Sequence, residues 1–446
     1  MKAAAGIGVA TSISSVLGAQ PANVRQAAPP DAIAAKIQIG SRIQAAHPRE
    51  ETTLRLGGMG DNYHMTWTAD DRQLVAVCDG LGWVENPKDF YNSRLYTITD
   101  GPIDARFHEV EHYPELPGLL NSENIERYYG FGTIALDGRI VQFLSTPNHQ
   151  FSRDNFAPWP DARFVGAKLI YTSDKGRIWR NQDGSTPVTW ERWQDRSKKN
   201  MLFYEEHQDA FSLLSVLQMG RDYQANKDGF VYVYAPNGNT DGTMNQLVMF
   251  RAPKSSIHDR TRYEFFAGIR PGGAARWTAD IDARSVVHTF PSGWVNTSIH
   301  PWAWMPSVTY NAPLDVYMMA SWGMGCAPDG SWFGRPSYLG LWVSKNPWGA
   351  WAQILEDTSW TPQNDAGARA FAPQISPKWI SADGRSFWLV WSDFKKTGSA
   401  EDFTHLVKTE GTHATNSADT VKFFKKLGAL MPYYALNTQR FDLVIA

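Results

Sequence analysis

GTIALDGRIVQFL, residues 132–144, sets the structural pattern of this chain: two runs of aliphatic, β-branched and aromatic residues flank an Asp-Gly pair. Asp-Gly between such runs is a strong short-range signal for a β-hairpin, because both residues tolerate the positive φ of a two-residue turn. The sequence therefore predicts an all-β chain of antiparallel hairpins. The pattern recurs at 63–68 with 74–78, 168–172 with 177–180, 229–234 with 246–251, 307–311 with 316–322, 339–344, and 379 with 385–391.

The spacing of these strand pairs favours a β-propeller. Pairs recur at roughly 40 to 60 residues, which suits blades of four strands arranged around a channel. We predict a single domain of five to seven four-stranded blades, with a pair of β-sandwiches or a parallel β-helix as the alternative. The best helix candidate is 418–430, and the strand-like run 440–445 would complete a blade begun near the N-terminus and so lock the ring.

One turn carries a more specific signal. Residues 172–179, TSDKGRIW, fit the Asp-box pattern Ser/Thr-x-Asp-x-Gly-x-x-Trp. In such a turn Asp174 caps backbone amides and Trp179 packs into the blade, so its predicted role is structural. The pattern is typical of sialidase-like propellers.

Composition limits the classes of partner. The net charge of −2 offers no field to concentrate a polyanion, so we predict no nucleic-acid partner. The two cysteines provide neither a disulfide framework nor a Cys-based metal site. The 19 Trp are the anomaly, because a flat indole face packs well against the apolar face of a sugar ring. Core filling is the alternative explanation for any single Trp.

The N-terminus predicts export. Met1-Lys2 precedes a small-residue apolar stretch over 3–17 and then Gly18-Ala19-Gln20, the pattern of a signal peptide over residues 1–19. Residues 20–50, rich in Ala and Pro, are predicted to be a linker or loose arm, and 51–446 the propeller catalytic domain. Because no other apolar run approaches the ~20 residues of a membrane span, we expect a secreted or periplasmic protein.

Two aspartates flank consecutive predicted strands. Asp61 precedes the strand within GDNYHMTW, residues 60–67, and Asp79 follows the next strand, in Cys78-Asp79-Gly80. If these strands are adjacent hairpin arms, both carboxylates lie at the same end of a blade. Hydrolysis of a glycosidic bond requires such a pair, one protonated to donate to the leaving oxygen and one ionised as base or nucleophile. Turn capping beside Gly60 and Gly80 is the structural alternative.

Other segments bring polar and aromatic residues that could reach the same end of a ring. His64 joins the catalytic candidates, while Arg127 and Arg221 could clamp a carboxylate. The same residues keep β-elimination from a uronic acid open, with His64 or His149 as base and Arg127 or Arg221 as neutraliser, and each His could instead be a scaffold residue. The predicted binding shell is Asn62, Arg127, Tyr128, His149, His207, Asp209, Arg221, Trp304, Tyr310 and Asn311.

A cofactor is not predicted. No two of the candidate histidines have the spacing of a zinc site on a helix or hairpin. Calcium often occupies propeller channels, but the chain shows no Asp-rich loop of the right spacing, so a structural calcium ion stays an open alternative. The expected partner is a poly- or oligosaccharide. A non-catalytic, lectin-like propeller is the alternative from another functional class.

The segments around the two aspartates resemble a known family. Residues 60–67 with Asp71 and 78–80 are similar to the opening Gly-Asp-Asn-aromatic…Thr-Trp…Asp-Gly signature of secreted propellers long catalogued as a domain of unknown function, some of which are endo-acting D-arabinan hydrolases. Segments 227–234, 252–266, 308–311, 346–351 and 376–384 resemble later parts of that family, so the resemblance covers roughly residues 55–395. It implies that Asp61 and Asp79 are the catalytic carboxylates of a glycoside hydrolase.

One position departs from that family. Many relatives have Pro where this chain has His64. A His beside the two acids resembles the propeller lyases and rhamnosidases that act on rhamnosyl-glucuronate ends with a catalytic His. The resemblance therefore implies a polysaccharide lyase as the alternative to the hydrolase.

Overall fold

Five antiparallel sheets form the blades of a β-propeller, which confirms the predicted all-β class and gives the lower end of the predicted blade number. The blades belong to a single domain. The computed structural model describes residues 42–116, 126–147, 163–238, 244–291, 294, 304–329, 332–411, 414 and 416–446. The predicted signal peptide, residues 1–19, lies outside these described residues.

The strands follow one another around the ring. Blade 1 holds β3 (Met59–Asp61), β4 (Met65–Trp67), β5 (Gln73–Gly82), β6 (Tyr91–Thr99) and β7 (Arg106–Glu109). Blade 2 holds β8 (Tyr129–Leu136), β9 (Arg139–Pro147), β10 (Phe164–Thr172), β11 (Arg180–Asn181) and β12 (Phe203–Tyr204). Blade 3 holds β13 (Ser215–Val216), β14 (Phe230–Pro236), β15 (Gln246–Pro253), β16 (Glu264–Ile269), β17 (Ala275–Thr278) and β18 (His288–Thr289).

Blade 4 holds β19 (Ser307–Asn311), β20 (Val316–Gly323), β21 (Ser337–Ser344) and β22 (Ala352–Trp360). Blade 5 combines β23 (Ala370–Ile380), β24 (Ser386–Asp393) and β25 (Asn437–Ile445) with β1 (Ile43–Pro48) and β2 (Leu54–Arg55).

Both diagnostic turns have the predicted geometry. Asp137 and Gly138, between β8 and β9, have φ of 49° and 77°, as a two-residue hairpin turn requires. In the Asp-box turn the carboxylate of Asp174 accepts the Ile178 N–H at 2.9 Å and the Thr172 hydroxyl at 2.7 Å. The Trp179 side chain is buried in the blade. The Asp174 carboxylate is therefore occupied by its own turn, as predicted.

The ends of the described chain close the ring within blade 5. β25 lies between β24 and β1, and Ala46 of β1 pairs with Leu443 of β25. The predicted role of the run 440–445 is confirmed. The prediction of a loose arm over residues 20–50 is wrong for its last residues. Residues 43–48 form the outermost strand of this blade and bury Ile43 and Ala46 in it.

The innermost strands run parallel to one another, and hydrogen bonds join them around the channel. The N–H of Thr133 donates to Nδ1 of His64 at 3.2 Å, and two residues further the N–H of Ala135 donates to the hydroxyl of Thr66 at 2.8 Å. These bonds join blade 2 to blade 1. The side chain of Gln218 joins blade 3 to blade 2 by donating to the carbonyl of Thr133 at 2.9 Å.

The remaining blades are joined in the same way. The backbone N–H of Gln218 donates to a carbonyl of β19 at 2.9 Å. The hydroxyl of Ser307 accepts the N–H of Ile375 at 2.9 Å, and the hydroxyl of Ser376 donates to the side chain of Gln73 at 2.8 Å. Polar bonds therefore run around the whole ring. Because the inner strands are parallel, residues before them gather at one end of the propeller and residues after them at the other.

Two helices connect β24 to β25: α1 (Ala400–Thr409) and α2 (Ser417–Leu430). α2 confirms the predicted helix, and α1, which begins with a capping box at Ser399, was not predicted. The Phe424 ring of α2 stacks on Phe90 of blade 1 with centroids 3.8 Å apart, so the helical insertion covers the end of the ring where the inner strands begin. Neither helix is long and apolar enough, within the described residues, to cross a membrane.

Candidate active site

Asp61 and Asp79 lie on neighbouring strands of blade 1. Asp61 ends β3 and faces Cys78 of β5 in the antiparallel pairing. Met59 pairs with Gly82 and Asp61 pairs with Cys78, so two residue steps of β3 lie opposite four of β5. β5 therefore carries a bulge between Cys78 and Gly82, the segment that holds Asp79. Bulges redirect side chains and are common beside active sites. The predicted juxtaposition of the two acids at one end of the blade is thus present in the structure.

The backbone around the acids explains the surrounding glycines. A Cβ on Gly80 would lie 2.0 Å from the carbonyl oxygen of Met59, so only glycine permits the close approach of the two strands. Asp79 and Asn62 have φ of 44° and 55°, in the left-handed region that Asp and Asn tolerate better than most residues. Such strained positions cluster at functional sites, where the surrounding structure holds them in place.

Asp61 is enclosed by protein. Its side chain is 7% exposed; one carboxyl oxygen accepts the Tyr434 hydroxyl at 3.1 Å and the other accepts the Asn62 amide at 2.7 Å. Burial, together with the nearby charge of Asp79, raises the pKa of Asp61 well above its usual range, and the Tyr434 hydrogen bond opposes this only in part. Asp61 therefore favours the protonated form.

Asp79 has a different environment. It is partly exposed, and its carboxylate accepts the side-chain amide of Asn92 at 2.9 Å. Burial raises the pKa of Asp79 above its usual value, while the charge of Arg127 and the Asn92 hydrogen bond lower it. Since a cation and an amide donor favour the ionised form here, Asp79 is the member of the pair that holds the negative charge.

Blade 2 holds Asn92 and Arg127 in position. The backbone N–H of Tyr128 donates to the side-chain oxygen (Oδ1) of Asn92 at 2.9 Å, which directs the side-chain NH₂ group of Asn92 toward Asp79. The buried guanidinium of Arg127 donates to the Tyr129 hydroxyl at 3.1 Å. The residues just before β8 therefore orient both groups that act on Asp79.

A buried ion pair supports that segment. Arg196 contacts Glu126 at 2.7 Å and also donates to the Thr146 hydroxyl, which in turn donates to the carbonyl of Arg127 at 2.7 Å. The predicted ligand Tyr128 belongs to this network: its side chain is buried and its hydroxyl lies 3.0 Å from the Glu191 carboxylate. A direct contact between Tyr128 and a substrate therefore receives no support from the geometry.

His64 faces the channel wall rather than open solvent. It is 2% exposed, and Nδ1 accepts the N–H of Thr133, so Nε2 carries the proton of the neutral ring. Burial lowers the pKa of His64 to about 3, so the ring stays neutral at physiological pH. The geometry supports a scaffold role in joining blades 1 and 2, and the catalytic role of His64 stays a prediction.

Three predicted ligands lie at the other end of the ring. Arg221 follows β13 and donates to the carbonyl of Ala69, in the turn after β4, at 3.0 Å. Asn311 ends β19 and donates to the carbonyl of Gly384 at 2.8 Å, while the neighbouring Tyr310 hydroxyl contacts Asp315. The prediction that Arg221, Tyr310 and Asn311 lie beside the acids is wrong. Tyr310 and Asn311 are the last residues of an inner strand and Arg221 follows one, whereas Asp61 precedes one.

The remaining candidates precede inner strands but contact other groups. His207 is exposed, 3.7 Å from Asp282, and Asp209 pairs with Arg163 at 2.6 Å. Trp304 is buried within an aromatic cluster, with its ring centroid 5.4 Å from that of Phe131. Their roles in binding stay predictions. His149 lies outside the described residues.

Sequence reasoning missed Asn92 and Tyr434. Asn92 lies within β6 with no flanking glycine or turn motif, and Tyr434 follows α2, 373 positions beyond Asp61. Local patterns cannot reveal either contact, because both arise from packing between distant segments. A signal exists only for Asp61 and Asp79, which glycines flank.

No metal site is evident in the part of the chain that the structure describes. There, no group of three or more His, Cys, Asp or Glu side chains is placed to hold an ion. The predicted absence of a cofactor, with a structural calcium ion as the open alternative, stays a prediction.

Comparisons with known proteins give distant likenesses. No family model matches the sequence, and no curated protein matches it. The resemblance to the arabinan-hydrolase family therefore stays a prediction.

Several solved structures match the chain. The Bacteroides ovatus xyloglucan PUL protein GH43B is 13% identical at a TM-score of 0.40, and the match covers 77% of this chain and 51% of that one. The xylan β-1,4-xylosidase of Bacillus halodurans is 9% identical at a TM-score of 0.40, covering 76% and 50%. The chain thus spans about half the length of these two proteins. The Podospora anserina α-L-arabinofuranosidase, solved with cellotriose, is 8% identical at a TM-score of 0.42, covering 90% and 98%.

Proposed function

We propose that this protein is a glycoside hydrolase in which Asp61 is the general acid and Asp79 the base or nucleophile. The observation that carries the proposal is the pairing of two neighbouring carboxyl groups in unlike environments. Asp61 is buried and favours its proton, while Asp79 is partly exposed beside Asn92 and Arg127. Two titratable groups whose surroundings drive their protonation apart supply the acid and base of a hydrolase.

The two groups would divide the reaction between them. Asp61 gives its proton to the glycosidic oxygen as the bond to the anomeric carbon breaks. Asp79 either takes a proton from the attacking water or attacks the anomeric carbon itself. In the first case the anomer of the product is inverted, and in the second it is retained after water releases the glycosyl-enzyme intermediate and returns a proton to Asp61. The Arg127 charge keeps Asp79 ionised for either role.

The proposed substrate is a poly- or oligosaccharide, and we place the protein outside the cytoplasm, as a secreted or periplasmic enzyme. Support for the substrate class comes from the pair of acids, whose chemistry suits an acetal.

The test is the release of reducing ends from a panel of polysaccharides that includes arabinan. We expect Asp61→Asn and Asp79→Asn each to lower turnover at least about a hundredfold, the usual contribution of acid or base catalysis, with little change in Tm. Asp222→Asn is the matched control. Asp222 is also buried and accepts the Gly138 N–H at 2.9 Å, but it lies after an inner strand, at the other end of the ring.

A second measurement separates catalysis from folding. Asp79→Ala leaves a space for a small anion, so added azide should restore turnover of an activated aryl glycoside if Asp79 is the nucleophile or base. Unchanged turnover in both Asn variants would overturn the proposal. So would unfolding of both variants combined with no azide rescue, because turn capping would then explain the two aspartates.

The lyase alternative has less support. It needs a His or Tyr that removes a proton from the sugar, and Nδ1 of His64 is occupied by the Thr133 N–H. A lyase would produce an unsaturated uronate, visible by ultraviolet absorbance, and would lose activity in His64→Ala rather than in the Asp variants. A non-catalytic glycan-binding propeller would bind the panel without releasing any reducing ends.

A further inference from the structure

A concave surface lies between blades 5 and 1. This groove has a volume of about 390 Å³ and is lined by two indoles, Trp379 and Trp388, and by the Asp100–Gly101–Pro102 turn after β6. The volume falls within the range of small-ligand sites. Its rim residues Asp100 and Arg440 are exposed, so the groove is open to solvent.

The groove is remote from the paired acids. Trp379 lies near the end of β23, and the neighbouring Lys378 pairs with Asp71, in the turn after β4, at 3.2 Å. Asp61 stands before that same β4. Asp61 pairs with Cys78 and Trp67 pairs with Gln73, and these two partners lie about 17 Å apart along β5 at the usual rise per strand residue. The groove therefore belongs to the opposite end of the propeller.

Charges at the rim occur in pairs. Arg440 contacts Asp442 at 2.8 Å, Lys378 contacts Asp71 at 3.2 Å, and Asp100 lies 3.7 Å from Arg106. Because these charges are paired, the rim offers polar atoms for hydrogen bonds but has no strong electrostatic field of either sign. An uncharged ligand rich in hydroxyl groups fits this rim better than an ion does.

The indoles supply the apolar part of the groove. Trp388, in β24, is partly exposed, while Trp379 is 6% exposed. Ser381, Ser386 and Arg440 add hydroxyl and guanidinium groups to the same groove, so an oxygen-rich ligand is a better match than a hydrocarbon. Aromatic faces with nearby polar atoms suit a pyranose or furanose ring.

We propose that this groove is a second saccharide-binding site that holds a neutral sugar unit of the polymer. The inference rests on the proposed function for its ligand class. A polymer held at this end of the ring stays near the protein, which raises its effective concentration at the acids without changing the chemical step. Trp388 should therefore affect long substrates and leave short ones unaffected.

The experiment is affinity electrophoresis of the inactive Asp79→Asn protein, and it measures how strongly a polysaccharide in the gel slows the protein. The gel contains the soluble polysaccharide that the wild type cleaves, or each polysaccharide of the panel in turn if none is cleaved. Adding Trp388→Ala should weaken retention about tenfold, as loss of one aromatic anchor does. Trp388→Phe should retain most of the binding because it keeps a flat ring. Trp277→Ala, another partly exposed Trp on blade 3, is the matched control and should bind normally.

Turnover provides the second readout. In the otherwise wild-type protein, Trp388→Ala should raise KM for the polymer and leave kcat on a short oligosaccharide unchanged, which also shows that the variant folds. Three results would overturn the proposed binding site: retention of Trp388→Ala equal to that of the parent, an equal loss of retention in Trp277→Ala, or no binding to any polysaccharide. If Asp79→Asn leaves turnover intact, the proposed function fails instead, whatever Trp388 does.

Discussion

Tyr434→Phe isolates one hydrogen bond at the candidate active site. The Tyr434 hydroxyl is buried and lies 3.1 Å from the Asp61 carboxyl and 2.8 Å from the carbonyl of Asp79. The variant keeps the ring that stacks on Phe394 with centroids 5.2 Å apart, so only the hydroxyl is lost. Leaving buried acceptors without their donor should cost about 1 to 3 kcal/mol of unfolding free energy.

The same variant should move the pH dependence in a known direction. The Tyr434 hydrogen bond lowers the pKa of Asp61, so its loss raises that pKa further. If Asp61 is the acid, its protonated form then persists to higher pH, and the alkaline limb of kcat/KM moves upward. Because the hydroxyl favours ionised Asp61, the loss of stability should grow as pH rises through the folded-state pKa.

Two measurements check this reasoning: urea unfolding at acidic and alkaline pH, and the pH profile of kcat/KM. Tyr433→Phe is the matched control, since Tyr433 is the neighbouring, partly exposed residue that stacks with Arg55. An alkaline limb that stays in place or moves downward, in a variant that folds normally, would refute the assignment of Asp61 as the acid.

Two further predictions concern the same end of the ring. Burial raises the pKa of Asp393 to about 6, and one of its oxygens accepts the N–H groups of Arg369 and Lys395 at 2.8 and 2.6 Å. Asp393→Asn keeps an acceptor there, so the wild type and the variant should be equally stable in acid. As pH rises from about 4, the usual carboxyl pKa, to about 6, the wild type should become less stable than the variant by at most about 3 kcal/mol. Parallel stability curves in urea unfolding would contradict this. Gly80→Ala should cost about 3 kcal/mol or more and abolish turnover by forcing β3 and β5 apart. Gly138→Ala, where a Cβ meets nothing within 4 Å, should cost only about 1 kcal/mol by thermal unfolding, and equal losses would disprove the steric explanation.

The sequence predicted the strands better than it predicted which end of each strand a side chain occupies. Hairpins such as 132–144 can be predicted because the turn and both strands lie within one short stretch of sequence. Asp61 and Asp79 could be paired for the same reason. The sequence also predicts Tyr310 and Asn311 beside these acids, because their side chains suit sugar binding. They are the last residues of β19, however, and residues at the ends of the parallel inner strands lie at the opposite end of the ring from the acids.

Long-range packing explains what stayed hidden. Tyr434 reaches Asp61 only because the helical insertion lies over blade 1, and Asn92 is oriented by the backbone of blade 2. The sequence predicts a loose arm at Ile43 and Ala46 because a six-residue strand after an Ala- and Pro-rich stretch shows little alternation of polar and apolar residues. Its partner strand begins almost four hundred residues later, at Asn437.

That distant pairing makes the propeller dependent on β25, a strand of nine residues. Residues 43–48 can find their neighbour only after β25 has left the ribosome, so blade 5 closes after the strands of the other four blades have been made. Contacts of such sequence separation form slowly. A nascent or truncated product without β25 would expose the free edges of β1 and β24, and unpaired edges invite other chains to add on. Protection from aggregation during biosynthesis therefore depends on a strand that is made after the other four blades.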